Sequence, residues 1–319
     1  MLLFSLDPAD PFAQALAAAL EVGLSPLEER TFPDGEHKLR PLVDPRGADA
    51  YVLHGLHGGP TDSPHDKLCR LLMFIATLRD HGAARVTALV PYLAYARKDQ
   101  RTKDFDPLGL RHVAQLFEAV GVSQLIVLEA HNVAAFQSAF RCPAVHLAAH
   151  PVFGTLAQEL AERGPLAVAS PDPGGVKRAL LWREALEALL HRPVGFAMID
   201  KRRSAGVVTS GRLVAGEVRG AGVLLLDDLI ASGETLRSGA LALREAGAAE
   251  VIGCAAHGLF VGAAEELLAD AALSRLAVTD SVPPFRLPAQ GVVRAKLQVM
   301  PAVPLFAEAV RASRDAWWQ

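Results

Sequence analysis

Short apolar runs alternate with longer amphipathic stretches along the chain. Residues 50–57 (AYVLHGLH), 85–94 (RVTALVPYLA), 124–131 (QLIVLEAH), 166–172 (LAVASPD), 195–200 (GFAMID), 222–230 (GVLLLDDLI) and 250–258 (EVIGCAAHG) are apolar over strand length, and most end in polar residues. Continuous hydrophobicity, as opposed to strict alternation, marks strands covered on both faces. Between them, residues 67–82, 108–121 and 235–247 carry apolar side chains at helical spacing and finish on a glycine, the residue suited to the left-handed position after a helix. Repeated strand, helix and strand predict an α/β fold of parallel sheets flanked by helices, with ligands at the carboxyl ends of the strands.

The pattern also echoes itself. Leu78-Arg79-Asp80-His81-Gly82-Ala83-Ala84-Arg85-Val86 matches Leu243-Arg244-Glu245-Ala246-Gly247-Ala248-Ala249-Glu250-Val251 at a constant offset, and Val120-Gly121-Val122 forms a comparable junction. The echo predicts two similar domains, 1–150 and 151–303, joined through the crossover segment 142–151, with 304–319 a helix packing back on the first domain.

Composition narrows the class. A length of 319 residues suits two domains, and 51% hydrophobic with 21% charged residues suits folded cores. A net charge of −3 excludes nucleic acid as the main partner, because phosphate-backbone binders carry a basic excess or stripe. Cys69, Cys142 and Cys254 stand far apart with no CxxC pair, so the sequence argues against a disulfide framework and for a reducing cytoplasm. No apolar run approaches the roughly 18 residues of a membrane span, and the opening MLLFSLDPADPF lacks the basic start of a signal peptide. The expectation is a cytoplasmic protein with no membrane partner. Only seven of the 32 basic residues are lysine, which makes their positions informative.

Five strand ends carry candidate chemistry. In 223–236 (VLLLDDLIASGETL) an apolar strand delivers Asp227 and Asp228, and Ser232-Gly233-Glu234-Thr235 leads into a helix. Amides at the helix start with the Ser232 and Thr235 hydroxyls suit a phosphate, and the acids suit ribose hydroxyls directly or through Mg²⁺. Read blandly, the same residues are solvated strand-end acids and an N-cap. Ser170-Pro171-Asp172-Pro173-Gly174-Gly175 ends another strand, with Asp172 a candidate magnesium ligand or a turn aspartate. Residues 96–104 (ARKDQRTKD) place four cations within seven residues, enough to counter a triphosphate or to form a solvated loop. Lys201, Arg202 and Arg203 follow the strand ending at Asp200, and His131 ends another beside Glu129. His54/His57 and His146/His150 lack acidic companions at metal-binding spacing.

Taken in order, these motifs resemble the ribose-phosphate pyrophosphokinase family. Phe32-Pro33-Asp34-Gly35-Glu36 is similar to its FxDGE loop, Pro91 through Arg101 to PYxxYARxDR, Glu129-Ala130-His131 to Asp-Leu-His, Ser170–Gly175 to SPDxGG, Asp200–Arg203 to DKRR, and 226–235 to its PRPP-binding loop. The resemblance implies two phosphoribosyltransferase-like domains and transfer of the diphosphoryl group of MgATP to the 1-hydroxyl of ribose 5-phosphate, giving PRPP and AMP. It implies that Phe32, Asp34 and Glu36 hold the adenine across a subunit interface of a homo-oligomer, and that Arg97, Lys98 and Arg101 bind the ATP phosphates. His131 and Asp172 would contribute to Mg²⁺ binding, Lys201 and Arg203 would lie on a closing loop and with Arg97 supply catalytic charge, and Asp227, Asp228, Ser232, Gly233 and Thr235 would bind ribose 5-phosphate. The alternatives are a non-catalytic nucleotide-binding regulatory paralogue and a nucleobase phosphoribosyltransferase.

Five departures from the family pattern stand out. Glu129 replaces an aspartate, and the segment after His131 is one residue longer. Lys98 replaces a glutamine, Ala231 stands where an acid is common, and Glu234 replaces a glycine. A Glu234 carboxylate aimed inward would repel a phosphate, so it must point outward or the sugar-phosphate preference has changed.

Overall fold

The computed structural model describes residues 1–204 and 207–317, the side chains of 201–212 and 315–317 excepted. The chain forms two compact units, residues 1–148 with the carboxyl-terminal segment from Ala302, and Ala149–Pro301.

Unit 1 runs β1 (Leu2–Ser5), α1 (Pro11–Ala19), β2 (Leu27–Thr31), β3 (His37–Pro41), β4 (Asp49–Leu53), α2 (Pro64–Asp80), β5 (Arg85–Val90), α3 (Gly109–Ala119), β6 (Gln124–Leu128), α4 (Val133–Ala139) and β7 (Ala144–Leu147). Its five-stranded sheet has the order β1-β4-β5-β6-β7, parallel throughout. Tyr51, Val52, Val86, Leu89 and Ile126 are wholly buried, as strands covered on both faces require. The Phe4 and Phe74 rings meet edge-to-face at 5.2 Å.

Unit 2 runs α5 (Gly154–Arg163), β8 (Leu166–Ser170), α6 (Val176–Leu190), β9 (Gly195–Ser204), β10 (Val207–Gly216), β11 (Gly222–Ile230), α7 (Glu234–Glu245), β12 (Glu250–Gly258), α8 (Ala264–Leu268), β13 (Arg275–Thr279), α9 (Val292–Lys296) and β14 (Leu297–Met300). The order β10-β9-β8-β11-β12-β13-β14 repeats the topology of unit 1 in its last five strands. β10 adds an antiparallel edge, which a short connection from β9 permits and a parallel neighbour would not.

The repeat extends to single hydrogen bonds. Gly82 and Gly247 both take left-handed φ, 83° and 96°. The Ala83 amide reaches back to the Leu78 carbonyl and the Ala248 amide to that of Leu243, each at 3.0 Å, the helix-ending pattern that a left-handed glycine permits. Arg79 Nη1 donates to the carbonyls of Ala83 and Ala84, and Arg244 Nη1 to those of Ala248 and Ala249. The Gly47 amide bonds the Gly82 carbonyl at 2.8 Å, and the Gly220 amide bonds that of Gly247 at 2.9 Å. Gly121, with φ of 82°, ends α3 the same way.

The last helix, α10 (Val303–Trp317), belongs to unit 1. The Phe306 ring lies 5.5 Å from that of Phe12, edge-on, and Ser313 Oγ donates to Gln124 Oε1 at 2.6 Å. Phe306 is fully buried. Phe306→Ala is therefore expected to cost about 3 to 4 kcal/mol of stability, measured by urea unfolding; a loss under about 1 kcal/mol would mean that the helix contributes little to the unit.

Candidate active site

Most candidate residues sit at the carboxyl ends of parallel strands; Lys201 and Arg203 instead lie within β9, which continues to Ser204 and does not end at Asp200 as the sequence suggested. In unit 1, β5 gives way to the loop of residues 91–108. Tyr95 adopts a left-handed φ of 64°, and its hydroxyl bonds the His65 ring. Arg97 is exposed and has no ion-pair partner among the described residues. Arg101 Nε donates to the Asp106 carbonyl at 3.2 Å.

Lys98 does not stand free. Its Nζ donates to Asp106 Oδ2 at 2.5 Å, and the same oxygen accepts from Thr102 N at 3.0 Å, Thr102 Oγ1 at 2.9 Å and Lys103 N at 3.0 Å. The Lys98 bond, then those from Thr102 and Lys103, hold the Asp106 carboxyl well below the usual carboxylate range. Between Arg97 and Asp106 the acids Asp99, Asp104 and Asp106 leave the four cations a net charge of only +1. A surface cavity of about 660 Å³ is lined by residues 101–106.

After β6, His131 is exposed. Glu129 before it is buried and takes a left-handed φ of 43°, rare for a side chain of its kind. Asn132 caps α4 by accepting from Ala135 N at 3.1 Å and donates through Nδ2 to Asp99 Oδ2 at 2.7 Å. It thereby ties the strand end of His131 to the cationic loop.

The Phe32–Glu36 segment is the tip of an exposed hairpin formed by β2 and β3. Phe32 N donates to the Glu36 carbonyl at 2.8 Å, and Glu36 N donates to Asp34 Oδ1 at 3.2 Å. Arg30 lies with its guanidinium carbon 5.0 Å from the centre of the Phe32 ring.

In unit 2, Asp172 Oδ1 accepts from Gly175 N at 3.1 Å, and Ser170 Oγ donates to the Asp172 carbonyl at 2.6 Å. A Cβ on Gly175 would sit 2.7 Å from Ser170 Oγ, so the turn needs glycine there. Neighbouring β11 carries Asp227 and Asp228 at its end, with Asp228 N donating to Asp227 Oδ1 at 2.9 Å. Burial, then the adjoining Asp228 carboxyl, push the Asp227 acid up to about 8, against a smaller opposing pull from Arg178.

Beyond the acids, Ala231, Ser232 and Thr235 are half-buried, and Gly233 turns the chain at φ 86° into α7. A Cβ on Gly233 would sit 2.6 Å from Leu268. α1, α2 and α4 are capped by the side chains of Asp10, Ser63 and Asn132. α7, like α3, α5, α6, α8 and α9, has no side-chain cap, which leaves its first amides open to an anion. Glu234 lies back along its own helix, accepting from Ser238 Oγ at 2.7 Å and facing Arg237 at 3.7 Å. The side chains of Lys201 and Arg203 lie outside the described residues.

Two family models match the chain. The model for the N-terminal domain of ribose phosphate pyrophosphokinase covers residues 1–121, and that for the phosphoribosyl transferase domain covers 147–268. Ribose-phosphate pyrophosphokinases of Hyphomonas neptunium and Caldanaerobacter subterraneus are each 33% identical to it; the alignments span 98% and 97% of this chain and 96% and 93% of those proteins. The chain belongs to the ribose-phosphate pyrophosphokinase family. The crystal structure of phosphoribosylpyrophosphate synthetase from Mycobacterium smegmatis superposes with a TM-score of 0.85 at 30% identity, covering 99% of both chains.

Family motifs alone do not point to Asn132, Asp106 or Arg178, and the motif that contains Asp99 does not disclose its bond to Asn132. Asn132 follows an apolar strand and precedes a helix, a readable cap signal. Asp106 and Arg178 act through bonds and charge that only the folded loops create. The Asp227 shift has a measurable consequence. Between its ordinary value of 3.8 and about 8, the folded protein keeps a proton that the unfolded chain has released, so this group makes stability fall as pH rises through that window. Asp227→Asn removes the effect and should stabilise the protein by on the order of a few kcal/mol at pH 8, with little gain near pH 4. Unfolding curves at both pH values test this; an equal change at each would contradict it.

Proposed function

We propose that the chain is a ribose-phosphate diphosphokinase. It moves the β,γ-diphosphoryl group of ATP to the 1-hydroxyl of ribose 5-phosphate and yields PRPP and AMP. The observation that carries this reading is the uncapped start of α7 directly behind the Asp227–Asp228 pair, in a chain aligned over nearly its whole length with the family. The α7 amides with Ser232, Gly233 and Thr235 receive the 5-phosphate, and the two acids receive the ribose hydroxyls. With Glu234 turned along its helix, no carboxylate opposes that phosphate, which removes a main reason to read the chain as a non-catalytic paralogue.

Arg97, Lys98 and Arg101 receive the ATP phosphates. The exposed hairpin of Phe32, Asp34 and Glu36 serves the adenine of a neighbouring subunit, which makes the protein a homo-oligomer. The sugar oxygen attacks the β-phosphorus, and the new P–O bond forms as the bond to AMP breaks. The protein's work is to hold two polyanions in line and to balance charge on the bridging oxygen. Lys201 and Arg203 bring that charge and exclude water.

Magnesium fits the acid pair: burial and then the adjoining Asp228 carboxyl push Asp227 up to about 8 against the smaller pull of Arg178, and a bound cation would relieve that crowding. Asp227, Asp228 and Asp172 of unit 2 and, separately, His131 of unit 1 are the side chains that would serve magnesium. Among the described residues no three His, Cys, Asp or Glu side chains enclose a metal site, so substrate phosphates and water would complete the shell, as is usual for this ion. When bound it neutralises phosphate charge. No helix among the described residues is long and apolar enough to cross a membrane, in keeping with work in the cytoplasm.

³¹P NMR of the protein with MgATP and ribose 5-phosphate should give AMP and PRPP in equal amounts; ADP or no turnover would refute the reading. Lys201→Ala should lower kcat by on the order of 10² to 10³, and unchanged turnover would remove Lys201 from the mechanism.

A further inference from the structure

The ring closed by Asp106 is an unusual use of a carboxylate. One oxygen, Oδ2, takes four donors: the Lys98 ammonium, the Thr102 hydroxyl, and the Thr102 and Lys103 amides. Successive backbone amides aimed at one point, with a hydroxyl and a lysine beside them, are the parts of a phosphate cradle. The other carboxylate oxygen has no hydrogen bond among those described.

The loop holds its shape by bonds that do not involve this carboxylate. Asp106 N donates to the Lys103 carbonyl at 3.2 Å, Leu110 N to the Lys98 carbonyl at 3.2 Å, and Arg101 Nε to the Asp106 carbonyl at 3.2 Å. A turn about the Asp106 side chain would empty the cradle and leave its walls standing. Phe105 beside it is fully exposed and held at a left-handed φ of 66°, a strained backbone position.

We propose that the Thr102 and Lys103 amides, the Thr102 hydroxyl and the Lys98 ammonium form a binding site for one phosphoryl group, and that Asp106 occupies it as an internal substitute which the ligand displaces. The phosphoryl group of ATP and free inorganic phosphate share this chemistry. That ATP supplies it rests on the diphosphoryl-transfer reading; the cradle itself does not.

The test is calorimetric titration of the full-length protein, without metal or ribose 5-phosphate, using inorganic phosphate in one arm and ATP in the other. Asp106→Ala removes the competitor and should tighten binding by about tenfold or more, the scale of one lost charge-assisted contact. Adding Lys98→Ala to that variant should abolish the gain. A gain with ATP alone assigns the site to the nucleotide, and a gain with phosphate assigns it to the free anion. Asp106 acting only as a loop staple predicts the reverse, with Asp106→Ala binding both ligands equally or more weakly, and that result overturns the proposal. Asp106→Asn is the second variant should the alanine protein fail to fold. It leaves no carboxylate in the cradle and should also bind more tightly than the parent protein. Binding is read without turnover, so a protein that shows the gain but makes no PRPP keeps the cradle and loses the kinase reading. One that makes PRPP without the gain does the opposite.

Discussion

A parallel strand can take its place only if the helix before it stops at the right residue, and both units solve this with the same clamp. A left-handed glycine ends the helix, an arginine one turn back bridges the carbonyls that follow, and an amide from the loop before the preceding strand closes onto the glycine. One-residue errors at this joint would send a whole strand's side chains to the wrong face. With the joint fixed at Gly82 and Gly247, β5 and β12 enter in register beside β4 and β11. In each unit the loops at the far ends of the strands then emerge on the edge where a sheet of this kind binds ligands.

What those loops offer follows from what they leave unsatisfied. The N-termini of α1, α2 and α4 are closed by side chains, and α2 carries a full capping box from Ser63 and Asp66. α7 is among the helices left uncapped, and the strand before it ends in two acids, one of which burial and then its neighbour's charge hold protonated near neutrality. An open helix start and a pair of crowded acids are each unfavourable in the empty protein. They become useful when an anion and a cation or sugar hydroxyls arrive. Relief of both would favour a ligand that brings a phosphate and sugar hydroxyls together.

The sequence exposed most of this frame because parallel strands are apolar throughout. Residues 85–90, 124–128 and 222–226 are almost wholly buried and read as strands without help from context. The β2–β3 hairpin and β10 escaped that reading for the opposite reason. β2 is Leu-Glu-Glu-Arg-Thr with little of it buried, and an exposed two-stranded ribbon has no hydrophobic pattern to advertise. Motifs placed the candidate residues at the strand ends, but a motif does not disclose pairing. Lys98 looks like a free cation in ARKDQR and is held by an aspartate eight residues on. Glu234 looks like an obstacle in the phosphate loop and lies along its own helix instead.

The seven lysines divide by the same logic. Lys296 donates to the carbonyls of Ala269 and Asp270 after α8, and Lys38 pairs with Glu28 across the hairpin; both are structural. Lys98 is internally neutralised. A chain of net charge −3 that must attract a nucleotide cannot rely on a broad positive field. It has to recognise phosphate at short range, where desolvated donors in fixed positions outweigh net charge. A cation held by an internal acid suits that need, because it is kept in geometry and screened from stray anions until a ligand with more negative charge than one carboxylate competes for it.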